Sequence, residues 1–254
     1  MIGVFDSGLG GLSALKALKQ KSPRADIVYL ADTARLPYGS LSPESVFLAA
    51  KSALRFFIEM GASSVLFACG TVSALALPRL QEEFSLPLYG VLSPSVSVAK
   101  SLYKGNTLGI LATNATVQSR SFPLALQKEL PEAKLLSVAC PLFVSLVENG
   151  FADKDNPVSL AAAKYYLSPF FDTKTDALIL GCTHFSWLSP VIQRLLPRTP
   201  LVDCASIAAA SVPALSGRGE KLFFTTQNSS LFSATARFLL KDESVEAKEV
   251  SLPL

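Results

Sequence analysis

The 254-residue chain has a single histidine, a single tryptophan and only 17% charged residues. No apolar run approaches the roughly 18 residues that a membrane-spanning helix requires, so the sequence predicts no membrane partner. Residues 1–6 show neither the basic start nor the apolar stretch of a secretory signal, which favours a cytoplasmic location. Half of the residues are apolar, as is typical of a globular protein with a large core.

The chain also lacks blocks of one charge and paired cysteine motifs. Lysine and arginine number 23 against 20 acidic residues and are spread along the chain, so nucleic acid is not expected as a partner. The four cysteines form no CxxC pair and there is one histidine, so no metal site is predicted. A disulfide framework is equally unexpected in a long, apolar chain without a secretory signal.

Short apolar runs alternate with amphipathic stretches, a pattern typical of parallel strands covered by helices. The predicted strands are residues 2–5, 27–30, 65–68, 88–92, 108–112, 135–139, 177–180, 201–202 and 221–225. Apolar residues between 46 and 57 recur at the spacing of a helix face, and Gly61 lies where a helix end favours left-handed backbone. A further helix is predicted over residues 231–240.

The early and late strands match each other. Residues 2–5 match 108–111, residues 65–71 match 178–184, and residues 87–90 match 200–203, at separations of about 106 to 113 residues. We therefore predict an α/β fold of two pseudo-symmetric, doubly wound lobes with mainly parallel sheets and an active-site cleft between them. The first lobe is expected to comprise residues 1–94 and 211–254, and the second residues 95–210.

Cys69 and Cys182 occupy equivalent positions in this repeat, each just after an apolar strand and before a threonine. Ligands bind beyond the carboxyl ends of parallel strands, so the two thiols are expected to approach one cleft from opposite sides. A lone cysteine is more often a buried hydrophobe, but the repeated position favours a catalytic role. His184 is predicted to poise Cys182 as a base. Cys140 and Cys204, which also follow strands, are the alternative acids or bases.

Asp6 and Ser7 end the first strand and lead into a glycine-rich turn, residues 8–13, that partly matches a dinucleotide fingerprint. Asp32 lies about 20 residues further on, where that fingerprint has an acid. However, Ser13 holds the third glycine position, and a carboxylate at this turn would repel pyrophosphate. Two interpretations of the turn remain. It binds a dinucleotide in an oxidoreductase, or it is a simple strand-to-helix turn that needs the backbone freedom of glycine.

Five segments together resemble the glutamate racemases, cofactor-independent enzymes of the Asp/Glu racemase superfamily. They are GVFDSGLGG (residues 3–11), DTARLPYG (32–39), ACGTVSA (68–74), PLFVSLVE (141–148) and GCTHF (181–185). The resemblance implies interconversion of L- and D-glutamate by two cysteines, at the positions of Cys69 and Cys182. One would remove the α-proton and the other would return one on the opposite face, supplying D-glutamate for peptidoglycan synthesis.

The resemblance also implies roles for residues around the two thiols. Asp6 and either Glu148 or His184 would assist the cysteines. Substrate contacts would come from Asp6, Ser7, Tyr38, Gly39, Gly70, Thr71, Thr183 and His184. Independently of the resemblance, the helix N-terminal amides after Ser7, Thr71, Thr116 and Thr183 are expected to hold the substrate carboxylates. No cofactor is implied, and members of the family are often homodimers, so the expected partners are glutamate and a second copy of the chain. Inversion without a cofactor requires an acid and a base on opposite faces, which a duplicated cleft supplies.

The sequence departs from the family pattern at three places. Gly70 replaces the usual asparagine after the first cysteine, Ser93 stands where an acid is usual, and residues 226–228 replace Ser-Gly-Asp. The loss of one buried hydrogen bond typically costs about 0.5 to 1.5 kcal/mol. Gly70 is therefore compatible with weakened glutamate binding, with another substrate such as aspartate, or with an impaired homologue that only binds an acidic amino acid or a partner protein.

Overall fold

The computed structural model describes residues 1–253 and consists of two α/β lobes, each built on one parallel sheet. The strands are β1 (Ile2–Asp6), β2 (Ile27–Ala31), β3 (Ser64–Phe67), β4 (Leu88–Gly90), β5 (Thr107–Ala112), β6 (Lys134–Ala139), β7 (Thr175–Leu180), β8 (Leu201–Asp203), β9 (Lys221–Thr225) and β10 (Ala247–Glu249). The helices are α1 (Leu12–Lys21), α2 (Pro43–Glu59), α3 (Gly70–Leu75), α4 (Leu77–Glu83), α5 (Leu92–Leu102), α6 (Asn114–Gln118), α7 (Ser121–Glu129), α8 (Pro141–Glu148), α9 (Pro157–Phe171), α10 (Thr183–Trp187), α11 (Ser189–Leu195), α12 (Cys204–Ser211) and α13 (Ser229–Leu240). Two short 3-10 turns, Thr33–Arg35 and Tyr38–Ser40, connect β2 to α2.

Strand order confirms the predicted repeat. The first sheet runs β10-β9-β2-β1-β3-β4 and the second runs β6-β5-β7-β8, with parallel pairing throughout both sheets. The order β2-β1-β3-β4 in the first sheet is the order β6-β5-β7-β8 in the second. Consequently β1 corresponds to β5 and β3 to β7, and the C-terminal strands β9 and β10 widen the first sheet beyond β2.

Local sequence accounts for most of the element boundaries. The side chain of Ser42 accepts a hydrogen bond from the amide of Ser45, and Pro43 occupies the first turn, so α2 starts where a cap and a proline favour it. The predicted helix face is confirmed, because Val46 and Phe57 are both fully buried. Gly61 has a φ of +77°, as expected for a residue that follows a helix.

Two elements differ from the sequence-based predictions. The strand predicted over residues 88–92 ends at Gly90, and α5 begins at Leu92, because an apolar run alone does not separate a strand from a buried helix. Strand β10 was not predicted. Of its three residues only Ala247 is buried, so this edge strand lacks the apolar pattern that marks the others.

The lobes are joined by apolar contacts between α1 and α12. Ala208 and Ala209 of α12 lie in the same buried cluster as Leu15 and Leu18 of α1. Small side chains on α12 allow the two helices to pack closely although their neighbouring strands belong to different sheets. This contact holds the carboxyl ends of the two sheets towards each other.

Residues 1–253 contain no helix that combines the length and the apolar character needed to cross a membrane. Over the same residues, no group of three histidine, cysteine or acidic side chains is arranged to hold a metal ion. Cys69, Cys140, Cys182 and Cys204 are all free thiols, and all are buried.

Burial of Cys140 predicts a loss of stability in alkaline solution. Its side chain is fully buried in the apolar core of the second lobe, which raises the pKa of the thiol well above its usual value. The folded state keeps this proton at a pH where the unfolded chain releases it, so stability present below about pH 8.5 is lost as the pH rises. Between about pH 9 and 10.5, we expect the unfolding free energy of the wild type to fall about 1.4 kcal/mol per pH unit more steeply than that of Cys140→Ala.

Urea unfolding of both proteins across this pH range measures the difference in slope. The cavity left by alanine shifts the whole curve but does not change its slope with pH. Equal slopes for the two proteins would show that the Cys140 thiol titrates at its ordinary value in the folded state.

Candidate active site

Four equivalent strand ends deliver polar side chains to the region where the lobes meet. Asp6 ends β1, Cys69 follows β3, Thr113 follows β5 and Cys182 follows β7. All four side chains are at least nine-tenths buried. Since the carboxyl ends of parallel strands meet at one edge of each sheet, the two lobes present these groups to a common interface.

Glycines of the first lobe bring its backbone directly against polar side chains of the second. The pairs in which a Cβ atom on the glycine would overlap a second-lobe side chain are Gly8 with Glu148, Gly10 with Thr183 and His184, and Gly39 with Thr113. For Gly10 and Gly39 the hypothetical Cβ would lie only 2.5 and 2.6 Å from the nearest of these atoms. A seam of glycines therefore allows the lobes to close tightly around the two cysteines.

Cys69 is held as a neutral thiol. Its Sγ atom donates a weak hydrogen bond to the Ser7 hydroxyl, 3.8 Å away. Burial, followed by the nearby charge of Asp6, raises the pKa of the thiol to about 12. At neutral pH this sulfur therefore carries its proton.

Asp6 links the two lobes beside this thiol. One carboxylate oxygen accepts a hydrogen bond from the amide of Gly8, and the other accepts one from the Thr183 hydroxyl, each at 2.9 Å. Burial raises the pKa of Asp6, although the positive charge of His184 and these hydrogen bonds oppose the rise. The carboxylate is thus positioned close to both cysteine turns.

Cys182 has a different environment, a chain of contacts, here called the relay, that runs through His184 to the partly exposed Glu148. Its Sγ atom lies 3.6 Å from Nδ1 of His184, and Nε2 of the same ring lies 2.6 Å from a carboxylate oxygen of Glu148. That oxygen also accepts a hydrogen bond of 2.8 Å from the amide of Leu9 in the first lobe. Burial alone would lower the pKa of His184, but its contacts with Cys182 and Glu148 raise it well above the usual value. The ring is therefore a cation that lies directly beside the sulfur of Cys182.

Three threonines form a hydroxyl cluster at the other end of the interface. The Thr113 hydroxyl lies 3.1 Å from the Thr71 hydroxyl across the lobes and donates to the Thr116 hydroxyl at 3.0 Å. Sequence reasoning did not select Thr113 as a site residue, although its position after β5 corresponds to that of Ser7 and its neighbours after β1. The cluster provides neutral hydrogen-bonding groups suited to a carboxylate.

Glu148 gives the site its contact with the outside. Its side chain is 15% exposed, whereas those of Cys69, Cys182 and His184 are nearly inaccessible. It lines a groove of about 320 Å³ with Leu9, Leu36 and other residues of both lobes. Glu148 is therefore the member of this chain of contacts that solvent reaches, whereas the two thiols and the imidazole ring are buried.

Comparisons with known proteins assign the chain to an enzyme family. The Asp/Glu/Hydantoin racemase family matches residues 8–212. The chain belongs to this family. It is 38% identical to a glutamate racemase of Aquifex aeolicus over 254 residues, which cover 98% of this chain and 97% of that protein.

Solved structures agree with the sequence comparison. A glutamate racemase isoform of Bacillus anthracis superposes with a TM-score of 0.93 at 30% identity, covering 100% of this chain and 98% of that one. A glutamate racemase of Francisella tularensis in complex with D-glutamate gives a TM-score of 0.87 at 33% identity, covering 99% and 97%. The predicted family, the α/β fold and the enzyme class, a racemase and hence an isomerase, are confirmed.

The glycine-rich turn of this racemase does not have the geometry of a dinucleotide site. The space beside Gly8 and Gly10 is filled by Glu148 and His184 of the opposite lobe. Asp32, the acid of the partial fingerprint, is fully buried and already paired with Arg35. The turn therefore offers neither the room nor the free carboxylate that the oxidoreductase alternative needs.

The hydroxyl of Tyr38 is already hydrogen-bonded inside the first lobe. Its side chain is buried in the first lobe, beside Phe5, and its hydroxyl donates to Asp32 at 2.5 Å. The part of this segment that reaches the lobe interface is the backbone at Gly39, which packs against Thr113.

Gly70 has a structural explanation that the sequence did not reveal. A Cβ atom on this residue would overlap the backbone carbonyl oxygen of Gly181 and lie 3.5 Å from Cα of Cys182. The asparagine side chain that the family pattern has at this position therefore has no room in this arrangement of the lobes. Glycine at position 70 allows the start of α3 to approach the end of β7.

We expect Gly70→Ala to destabilise this racemase. Alanine at the first turn of a helix normally stabilises a protein by about 0.4–1 kcal/mol, because it restricts the unfolded chain. Here the added methyl group must displace backbone or force the lobes apart, so the free energy of unfolding should instead fall by about 1–3 kcal/mol. Denaturant unfolding distinguishes the two signs, and a stabilised variant would contradict the close approach to Gly181.

Proposed function

We propose that this racemase interconverts L- and D-glutamate by proton transfer between Cys69 and Cys182, without a cofactor. The observation that carries the proposal is that the two thiols follow equivalent strands and face one interface, each with its own polar partners. The substrate assignment is supported by the names of the relatives and by the D-glutamate bound in the Francisella tularensis enzyme.

The two sulfurs supply one acid and one base. Cys69 is a thiol at neutral pH because its pKa is about 12, so it serves as the acid. We assign the base to Cys182, whose sulfur lies beside the cationic ring of His184. In this state Cys182 takes the α-proton from one face: the Cα–H bond breaks, its electron pair stays on Cα, and an S–H bond forms. Cys69 then gives its proton to the opposite face of Cα. The reverse reaction begins with the protonation states exchanged.

Substrate charge makes the exchanged state accessible. In the free site the negative charge of Asp6 disfavours a thiolate on Cys69. The α-ammonium group of an amino acid bound near Asp6 would offset that repulsion and so permit Cys69 to act as a base in its turn. The hydroxyls of Ser7, Thr183 and the threonine cluster would hold the two carboxylates, together with the backbone amides around them.

Access to this buried site requires movement of the lobes. We take residues 1–94 with 211–254 as one moving unit and residues 95–210 as the other, with the contact between α1 and α12 as the pivot. Closure brings the glycine seam against Glu148 and His184 and removes water from the thiols. Exclusion of water strengthens the electrostatic contacts on which the proton transfers depend.

The proposal is tested by incubating the purified protein with L-glutamate and, separately, with L-aspartate in deuterated water, followed by chiral chromatography and mass spectrometry. We expect formation of D-glutamate and little conversion of aspartate. Faster conversion of aspartate would replace the substrate assignment. Glutamate binding without exchange of its α-hydrogen would identify an impaired, binding-only homologue.

We further propose that the product D-glutamate enters peptidoglycan synthesis in the cytoplasm, and therefore contributes to cell-wall formation and cell shape.

We also propose that the protein forms a homodimer through the exposed apolar side chains of α9, where Val158 and Tyr165 are 52% and 76% exposed. Within α9 only Lys164 carries a charge. Light scattering of the purified protein measures its mass directly, and a monomer at micromolar concentration would contradict this part of the proposal.

A further inference from the structure

A buried carboxylate outside the thiol pair lies at the centre of a hydrogen-bond network in the first lobe. Asp32 directly follows β2 and is fully buried. One of its oxygens accepts hydrogen bonds from the Tyr38 hydroxyl at 2.5 Å and from the Arg35 guanidinium at 2.8 Å. The other accepts one from the Thr226 hydroxyl at 2.7 Å. Three donors on one buried carboxylate form a rigid anchor, because each contact restricts the others.

Tyr38 connects Asp32 to the interface between the lobes. This residue starts the 3-10 turn that continues to Ser40, and its buried ring fixes the backbone that follows. The next residue, Gly39, packs directly against Thr113 of the second lobe. The wall of the cleft opposite the threonine cluster is therefore held in place from behind by Asp32.

The same network reaches the C-terminal segment. The second terminal nitrogen of Arg35 donates to the carbonyl oxygen of Leu252 at 2.9 Å, and Thr226 lies in the loop after β9. The Ser52 hydroxyl of α2 bonds to the carbonyl oxygen of Pro253. Asp32 thus connects the cleft wall to two segments that are distant in the sequence.

We propose that Asp32 is a positioning residue, which acts through Tyr38 to hold the backbone of residues 38–39 against the substrate end of the cleft. Its kinetic consequence rests on the proposed glutamate racemisation, whereas its effect on the order of this turn does not. A carboxylate that only stabilised the fold would leave the affinity for substrate unchanged. A positioning carboxylate affects KM more than kcat, because the proton transfers occur at the sulfurs.

The kinetic test uses Asp32→Asn, which keeps the size of the side chain but places a donor amide among three donors. We expect KM for glutamate to rise about tenfold, with a smaller change in kcat. Tyr38→Phe should raise KM similarly, and the double variant should be no worse than either single variant, because both remove one contact. Should Asp32→Asn not fold, Tyr38→Phe alone provides the same readouts.

Asp176→Asn is the matched control. Asp176 is also a buried carboxylate with three hydrogen bonds, from the amides of Lys104 and Asn106 and from the Asn106 side chain. It lies near the amino end of β7, at the opposite end of that strand from Cys182. Its replacement should lower stability but leave KM unchanged.

Amide hydrogen exchange gives a readout that does not need turnover. We expect the amides of residues 38–41 to exchange faster in Asp32→Asn and in Tyr38→Phe than in the wild type, and to be unaffected in Asp176→Asn. An inactive wild type would refute the proposed function, and the exchange result would still decide the role of Asp32. Unchanged exchange in this turn, an unchanged KM, or independent multiplicative effects of the two substitutions would overturn the positioning role.

Discussion

Replacement of either Cys69 or Cys182 by alanine is expected to lower the rate of racemisation by about a thousandfold or more, because general acid or base catalysis at one face of Cα is lost. The remaining thiol can still remove and return a proton on its own face. Each variant should therefore exchange the α-hydrogen of only one enantiomer with solvent, and the two variants should exchange opposite enantiomers. Polarimetry measures racemisation, and proton NMR in deuterated water measures exchange.

Cys140→Ala and Cys204→Ala are the matched controls. Both cysteines are buried and lie at the carboxyl ends of strands, within one residue of the position of the catalytic candidates, so the controls test loss of a buried thiol without loss of the proposed acid or base. They should retain most of the wild-type rate. Loss of turnover in a control, combined with full activity in Cys69→Ala or Cys182→Ala, would reassign the proton transfer to another sulfur.

Replacement of His184 by glutamine is expected to lower kcat about a hundredfold. Glutamine can still contact Glu148, but it brings no positive charge within reach of Cys182. In the wild type, the raised pKa of His184 keeps the ring cationic through neutral pH, and this help is lost as the pH rises through that pKa. The variant has no ionisable ring at this position, so the fall in kcat that accompanies loss of the His184 proton at high pH should be absent from its pH profile.

Glu148→Gln separates the charge of the relay from its geometry. The amide oxygen can still accept a hydrogen bond from the amide of Leu9, so closure of the lobes is preserved. Loss of the carboxylate removes one of the contacts that raise the pKa of His184, so the loss of kcat should be in the same direction but smaller. A pH profile of His184→Gln that coincides with that of the wild type would contradict the electrostatic role of the ring.

The positions of the two cysteines could be predicted because they depend on a repeat that is visible in the sequence. Once residues 65–71 are matched with 178–184, Cys69 and Cys182 must follow equivalent strands, and strand ends in parallel sheets are binding positions. His184 could be predicted for the same reason, since it is two residues from one of the thiols.

Contacts between the lobes could not be predicted in this way. The amide of Leu9 and the carboxylate of Glu148 are 139 residues apart, and nothing in either local sequence indicates the other. The glycine seam could not be predicted for the same reason, because its contacts also join residues that are far apart in the sequence. Gly39 and Gly70 are explained by what the opposite lobe places against them, so the sequence alone suggested only a substrate contact or a lost side chain.

Tyr38 and Asp32 illustrate a further limit of sequence reasoning. The family resemblance implied Tyr38 as a substrate contact, and a local fingerprint suggested Asp32 as a cofactor acid. Neither indicated that the two side chains bond to each other inside the first lobe. A buried pair of this kind leaves no periodic signal, because it depends on the side-chain packing behind a turn and not on the alternation of apolar residues.

The central claim is that two different sulfurs serve the two faces of one carbon atom. It is tested most directly by following L-glutamate in deuterated water during the first few per cent of conversion, with mass spectrometry of the separated enantiomers. The account predicts that the D-glutamate formed carries solvent deuterium at Cα while the remaining L-glutamate carries none. Product that retains the original α-hydrogen, or equal early labelling of both enantiomers, would mean that one group serves both faces.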